Sequence, residues 1–559
     1  MSEFLKRKYL IIAALAMMIV LLSLPCFRSG IYEGHDIMFH LGRLQEIASE
    51  LKKGQFPVRY EHDAWWGYGY ISSTMYPNIF LYFPALLCMA GVPLYRAYNI
   101  YVIAINIATV LIAYYSFERI FKGDKWGLLA TIIYCFSAYR FANVYRRTAV
   151  GEYTAMAFIP LLVYGFYHVY FEDEEENIFR RIAPIVISVF GVLESHMLTT
   201  EMLAMFILIF AVIYIRRTLQ ILKELFLALL IIVLTNAFFL VPFLSEYLTE
   251  KMAINTTISA FGVDGEGLYL SQFFKPFAEG RGSDLSWSAE HEEFLALGVA
   301  LVLSVAAMAV VCIFYKKLIL TARDKVAFKA ALTMTGLGLI AAVLSTVYFP
   351  WGYFEKSDSF IATLMCSIQF PWRYLAIQTI CFTVAGVYAM RTIYYKLRQY
   401  SLKKGVKKAR LYYIGLVTVF TIIAVAQAGI FYRYLSLSCP TLTATYIDGW
   451  PGEYDSLYLL NGTDRHTVGD DLEVVYSGST VSLPVFGYEH VKARDADGVE
   501  IPYTLGDNNR IVIAAADYSE DLNIDFEVPW LWRVAEIVTI ISIVWYSSAC
   551  IVRTRRNRL

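Results

Sequence analysis

A run of ionisable side chains, Glu33-Gly34-His35-Asp36-Ile37-Met38-Phe39-His40, follows the first apolar stretch of this chain by only a few residues. Charged groups are costly beside lipid, so those retained there pair, bind or react. On a helix, Asp36 and His40 are four residues apart and share a face. A carboxylate with an imidazole can hold a metal ion, move a proton or form a local hydrogen bond, and the pair alone leaves all three open.

Three further polar clusters stand where apolar stretches end. The region after the first stretch also supplies Arg43, Arg59, His62 and Asp63, then the aromatic run Trp65-Trp66-Gly67-Tyr68-Gly69-Tyr70. Arg140, Arg146, Arg147 and Glu152 form a second cluster, Glu194-Ser195-His196 a third, and Gln369-Phe370-Pro371-Trp372-Arg373 a fourth. Carboxylates, imidazoles and guanidinium groups together fit an anionic substrate handled with general-base or metal assistance. Arginine suits phosphate because its fork binds two oxygens at once. Each cluster also has a plainer reading. Asp36 and His40 can be a structural pair, Arg146 and Arg147 can snorkel to headgroups, and Glu194 and His196 can cap a helix. The tryptophans and tyrosines of 65–70 read first as a headgroup-level aromatic belt and second as a sugar-stacking platform.

The elements that must position these groups are membrane helices. Of 559 residues, 58% are hydrophobic, 16% aromatic and only 17% charged, with mean hydropathy +0.51. That is too apolar for a soluble protein and identifies a polytopic membrane protein. Lys+Arg and Asp+Glu balance at 48 each, so no basic field attracts nucleic acid and no nucleic-acid partner is expected. The eight cysteines are scattered without a CxxC pair, which signals neither a disulfide framework nor a zinc site. Lys6-Arg7-Lys8 and the apolar run to Leu24 read as an uncleaved signal anchor.

Near-spanning runs at 9–24, 97–116, 127–141, 154–171, 181–195, 199–215, 225–243, 293–315, 327–348, 372–391, 411–432 and 530–551 predict about twelve transmembrane helices. The run 79–93 carries Pro84, Gly91 and Pro93 and reads as an interfacial or re-entrant segment. Leaving it out of the count places the basic loops around Arg119–Lys125, Arg216–Lys223, Lys316–Lys325 and Arg391–Arg410, and the tail Arg553–Arg558, on the side of Lys6-Arg7-Lys8. Both termini are then cytoplasmic in a multi-pass plasma-membrane protein, and Glu172–Glu176 is a solvated cytoplasmic loop. Segments 25–96, 140–153, 246–292, 349–371 and 433–528 face outward, which brings all four polar clusters to one face. The expected domains are a multi-helix body over 1–432 with its large first outer loop 25–96, an extracytoplasmic β-sandwich-like domain over 433–528, and a final helix with a basic tail over 529–559. Leu472–Tyr476, Thr480–Phe486, Arg510–Ala514 and Leu522–Val528 are its β-prone stretches.

This arrangement resembles the GT-C superfamily of membrane glycosyltransferases, which place an essential acidic residue in the first extracytoplasmic loop; here that residue is Asp36. The strings Gly34-His35-Asp36, Phe39-His40-Leu41, Tyr145-Arg146-Arg147, Gly151-Glu152, Ser195-His196 and Gln369-Phe370-Pro371-Trp372-Arg373-Tyr374 resemble the bacterial membrane family labelled 6-pyruvoyl-tetrahydropterin synthase-related, and the layout is similar to YfhO-type membrane proteins. No pterin chemistry is implied, since the histidines sit in membrane loops rather than in a compact three-histidine site.

The resemblance implies transfer of a sugar from a polyprenyl-phosphate donor to a cell-envelope polymer or lipid acceptor at the outer face. Asp36 would be the general base, with Glu152 and His40 orienting it or ligating a divalent cation. Arg146, Arg147, Arg373, Arg59 and His196 would hold the donor phosphate. Metal candidates are Asp36, His40 and Glu152, with magnesium or manganese favoured by oxygen ligands and zinc admitted by the imidazole, although the two-acid pattern of metal-dependent members is not evident. The alternatives are a transporter or flippase for a lipid-linked saccharide and a non-catalytic assembly factor. No internal repeat is visible, which favours the enzyme over the transporter.

Overall fold

The computed structural model describes residues 3–172, 177–257, 263–274, 295–404, 408–448, 456–470 and 472–551. The acidic run 173–176, the basic tail and most of 258–292 lie outside the described residues.

Fifteen helices of eight residues or more carry the described fold: α1 Glu3–Ser23, α2 Ile37–Lys52, α3 Tyr82–Met89, α4 Leu94–Phe121, α5 Asp124–Cys135, α6 Val150–Phe171, α7 Ile178–Leu193, α8 Met197–Ile213, α9 Leu222–Thr235, α10 Ala237–Thr249, α11 Val299–Ile313, α12 Ala322–Leu344, α13 Leu375–Lys404, α14 Lys408–Ser438 and α15 Trp530–Ile551. Each of the twelve expected runs meets at least one of these helices, with 225–243 divided between α9 and α10, but fewer are long straight spans. Among the described residues, seven helices are long and apolar enough to cross a membrane, rising to nine if two bent pairs count as one span each. The bends, 52° after α5 and 74° between α9 and α10, break runs that composition alone reads as continuous. α7, α8 and α11 are shorter, at 16, 17 and 15 residues. α3 has 8 residues and rises only about 12 Å, so it does not span, as expected of 79–93.

The lipid-facing sides of α1, α14 and α15 expose Leu10, Ile12, Leu411, Ile422, Ile540 and Val544, side chains that a bilayer covers. Gly165 of α6 lets α7 approach, since a Cβ there would lie 2.8 Å from Ile185 N. α12 starts at a capping box in which the Thr321 hydroxyl accepts from the Asp324 N–H at 3.0 Å and the Asp324 carboxylate accepts from the Thr321 N–H at 3.0 Å.

The helix ends separate into two faces. At one, Arg7 pairs with Asp124 at 2.9 Å, Lys122 with Glu172 at 2.8 Å, and Arg180 donates to the Cys550 and Ile551 carbonyls near the end of α15. The loops expected to be cytoplasmic meet here. The four polar clusters sit at the opposite ends of the same helices.

On that opposite face stand two small sheets. β3 Val475–Ser477, β4 Thr480–Phe486, β8 Arg510–Ala514 and β7 Thr504–Leu505 form one, in the order β3-β4-β8-β7. β6 Glu500–Ile501, β5 Val491–Arg494 and β9 Asn523–Phe526 form the other, in the order β6-β5-β9. Their inward residues, including Val481, Ile511, Val491 and Phe526, share one core with Trp65, Tyr68 and Tyr70 of the first outer loop. The aromatic run is therefore neither a headgroup belt nor a sugar platform. Tyr68 O accepts from Phe486 N at 2.9 Å, the Tyr70 hydroxyl accepts from Tyr458 N at 3.1 Å, and the rings fill the joint between loop and sheets.

His62 fastens the same joint, with Nδ1 2.9 Å from Glu50 Oε2 and Nε2 2.8 Å from Asp525 Oδ1. Burial opposes its charge, but the two carboxylates outweigh burial and raise its pKa from 6.5 to about 9. A folded pKa above the unfolded one means the contact contributes fully below pH 6.5 and is lost as pH rises through 9. Thermal unfolding at pH 6.5 and pH 10 should therefore show a larger loss for wild type than for His62→Gln; equal losses would contradict the assignment.

Candidate functional site

Asp36 owes its position to backbone contacts on both sides. Strand β1 Ile31–Tyr32 pairs with β2 Thr441–Leu442, just beyond α14, and Glu33 N donates to Pro440 O at 2.9 Å. The chain then meets the segment before α6: His35 N donates to Arg146 O at 3.1 Å and Asp36 N to Arg147 O at 2.9 Å. Gly34 makes this approach feasible, because a Cβ there would lie 2.5 Å from Thr148 Cγ2 and 2.8 Å from Arg146 O. Asp36 stands at the head of α2, its carbonyl accepting from His40 N at 3.1 Å, and its side chain is half-buried. Ile37, Leu41, Leu44 and Ile47, all fully buried, anchor α2, each contributing about 1.5–3 kcal/mol.

The second half of the site comes from the bend after α5. Ser137 adopts an extended conformation, a short helix resumes at Ala138–Phe141, and Ala142–Arg146 forms a π turn in which Arg147 N donates to Ala142 O at 2.8 Å. Such turns are frequent at functional sites. This one aims Tyr139, Asn143 and Arg147 at Glu152 in the first turn of α6. Arg147 Nη1 donates to Asn143 Oδ1 at 2.6 Å and to Glu152 Oε2 at 2.7 Å. Asn143 Nδ2 donates to Glu152 Oε1 at 3.1 Å, and the Tyr139 hydroxyl donates to the same oxygen. Arg373 Nε stands 3.7 Å from Glu152 Oε2, and Arg147 Cζ lies 4.1 Å from the Trp372 ring centre. Burial works against the charge on Arg147, but Glu152, Tyr139 and Asp36 together raise its pKa. Asp36 is thus within electrostatic reach of the Arg147–Glu152–Arg373 cluster.

His196 completes the cluster from the turn between α7 and α8. Its Nδ1 lies 2.8 Å from Thr199 Oγ1 and accepts from Thr199 N at 3.3 Å, capping α8. Burial, and then the positive charge of Arg373, lower its pKa to about 3. The ring is therefore neutral at physiological pH, and with Nδ1 accepting, the proton sits on Nε2 as a donor. Gly151 admits these neighbours: a Cβ there would stand 2.2 Å from the Tyr76 hydroxyl and 2.6 Å from Ser195 O.

Tyr76 lies between His196 and His40, each ring centre 6.1 Å from its own. Arg43 stacks on the Tyr76 ring at 4.3 Å and donates to the Tyr76 and Pro77 carbonyls. His40 is buried with Nδ1 lacking a hydrogen bond, and burial, with Arg43 and His196 nearby, lowers its pKa well below 6.5.

Asp36, Arg147, Glu152, Arg373 and His196 thus converge, with His40 alongside through Tyr76. Two expected residues do not join them. Arg146 contributes its carbonyl to His35, but its side chain reaches Cys439 beyond α14. Arg59 lies elsewhere: its Nη2 donates to Phe238 O at 2.7 Å and to Glu536 Oε1 at 3.0 Å, joining the outer loop to α10 and α15. Arg59→Met should lower stability by about 1–3 kcal/mol through the carboxylate it leaves underpaired, while turnover per folded molecule stays at the wild-type value; a thermal melt and an initial rate check both, and lost turnover at full stability would return Arg59 to the site. Tyr139, Asn143 and Tyr76 belong to the site although no motif marks them. The four-residue spacing of Tyr139, Asn143 and Arg147 was the available signal.

Asp36, His40 and Glu152 do not fit a shared divalent cation. The Glu152 oxygens are taken by Tyr139, Asn143 and Arg147, and His40 lies among Arg43 and His196. Among the described residues, the acidic group whose ligand atoms converge within 4.8 Å is Glu46, Glu50 and Asp63. There the Lys53 ammonium already sits 3.0 Å from Glu50 and 2.7 Å from Asp63.

No family model matches the chain. An uncharacterised protein of Lactococcus lactis subsp. cremoris (strain MG1363) is 23% identical over 239 residues, a match spanning 41% of this chain and 38% of that relative's length. Among solved structures, the chain is similar to the arabinofuranosyltransferase AftD from Mycobacteria, with TM-score 0.42 and 12% identity over 76% of this chain and 27% of that one. It is also similar to ArnT from Cupriavidus metallidurans bound to undecaprenyl phosphate, with TM-score 0.33 and 12% identity over 91% and 98% of the two chains. These matches lend no support to the narrower pterin-synthase-related or YfhO-type resemblance.

Proposed function

We propose that this polytopic membrane protein is a glycosyltransferase that moves a sugar from a polyprenyl-phosphate-linked donor to a cell-envelope acceptor at the extracytoplasmic face, with Asp36 as general base. The observation that carries this reading is the half-buried Asp36, hydrogen-bonded through its backbone to the segment that bears Arg147, beside the Arg147–Glu152–Arg373 cluster. Asp36 takes the proton of an acceptor hydroxyl as that oxygen attacks the anomeric carbon. The bond between the anomeric carbon and the phosphate oxygen breaks, and the lipid phosphate departs with the electron pair. Arg373 and Arg147 stabilise the charge developing there, Glu152 fixes Arg147, and the His196 Nε2–H is a neutral donor at the same place. The resemblance of the first outer loop to that of GT-C glycosyltransferases agrees with this assignment of Asp36.

The test is incubation of the purified protein in liposomes with a panel of polyprenyl-phosphate-linked sugars and saccharide acceptors. Release of free polyprenyl phosphate with glycosylated acceptor is the expected result. Movement of the intact donor between leaflets without cleavage would replace the transferase with a flippase.

A further inference from the structure

On the face opposite Asp36, a cavity of about 540 Å³ opens between α4, α6, α8, α12 and α13. Its depth is apolar, lined by Ile159, Leu162, Leu203, Phe206, Leu337 and Ile377, and its rim carries Lys122, Arg323, Arg391 and Lys396. The volume is that of a small-molecule site, about 300–1,000 Å³, and its lining follows α13 from Ile377 to Gln399. The rim acid Asp324 already closes the capping box of α12, and Lys122 is held by Glu172 at 2.8 Å. Arg323, Arg391 and Lys396 form no ion pair among the described residues, and Arg391 Nε is buried without a hydrogen-bond partner. An apolar cavity beneath cations that form no ion pair among the described residues is complementary to an alkyl chain carrying an anionic headgroup.

We infer that this cavity binds one anionic phospholipid from the leaflet on the basic-loop face, one acyl chain in its apolar depth and the phosphate among Arg323, Arg391 and Lys396. Its position separates this lipid from the donor of the proposed reaction. From Leu375 to Lys396, α13 rises roughly 30 Å, a full hydrocarbon thickness, so a phosphate at the rim is not the phosphate at Arg373. The site stands independently of the reaction assigned to the other face.

Delipidated protein in detergent, titrated with phosphatidylglycerol or phosphatidylcholine and read by native mass spectrometry, tests this without an activity assay. One phosphatidylglycerol should be retained at about tenfold lower lipid concentration than phosphatidylcholine, about 1.4 kcal/mol. Arg323→Glu with Lys396→Glu should bring the two lipids within about twofold of each other. Leu203→Trp should abolish retention of both, and Ala331→Leu, a milder filling of the same cavity, should weaken it in protein whose melting midpoint is unchanged. Equal retention of both lipids by wild type, or retention unaffected by these substitutions in folded protein, would overturn the assignment. Undecaprenyl phosphate that displaces phosphatidylglycerol from wild type but not from the double charge variant would overturn it in favour of a polyprenyl ligand.

Discussion

Asp36→Asn should reduce sugar transfer on the order of 10²–10⁴-fold, the usual contribution of a positioned general base, with a thermal midpoint close to that of wild type. Asparagine keeps the size of the side chain, and the substitution leaves in place the main-chain bonds of His35 to Arg146 and of Asp36 to Arg147. Initial rates and melting curves on one preparation check both halves. A large rate loss accompanied by equally large destabilisation would make Asp36 structural.

Glu152→Gln should be the most destabilising single change in the site. Glu152 is 1% exposed and Arg147 is 5% exposed in side-chain terms, so removing the carboxylate charge leaves buried guanidinium groups short of a counter-ion. Breaking a buried pair from one side costs about 3–5 kcal/mol. Transfer should fall as well, because Arg147 loses the bond that fixes its fork. Adding Arg147→Met to Glu152→Gln should recover most of the stability and none of the activity, a non-additivity expected of residues in direct contact. Additive losses in denaturation experiments would show that the two side chains do not form one unit.

The helical body was legible because hydrophobic runs of spanning length have few other solutions, and the non-spanning character of 79–93 followed from its prolines and glycine. Bends were not: the break near Ser137 that produces the π turn sits inside a run whose composition stays apolar. Asp36 with Arg147, Glu152, His196 and Arg373 was legible because charges at helix ends stand out against an apolar background, and a basic-loop count gathered them on one face. Arg59 misled for the same reason. Its charge stood out equally, but its partner is Glu536 on the last helix, a tertiary pairing that no local pattern encodes. Trp65 to Tyr70 misled in the opposite way, since amphipathic rings suit a headgroup belt, a sugar and a protein joint alike, and only the sheets packed against them decide. Tyr139, Asn143 and Tyr76 carried no charge to draw attention, and their roles depend on the turn geometry around Glu152.

A reaction centre at Asp36 is tested most directly by measuring polyprenyl phosphate released from a lipid-linked sugar by wild type, Asp36→Asn and Arg59→Met in parallel, per folded molecule. Release by wild type and Arg59→Met at similar rates, with at least a hundredfold loss in Asp36→Asn, is the expected result. Undiminished release by Asp36→Asn would contradict it.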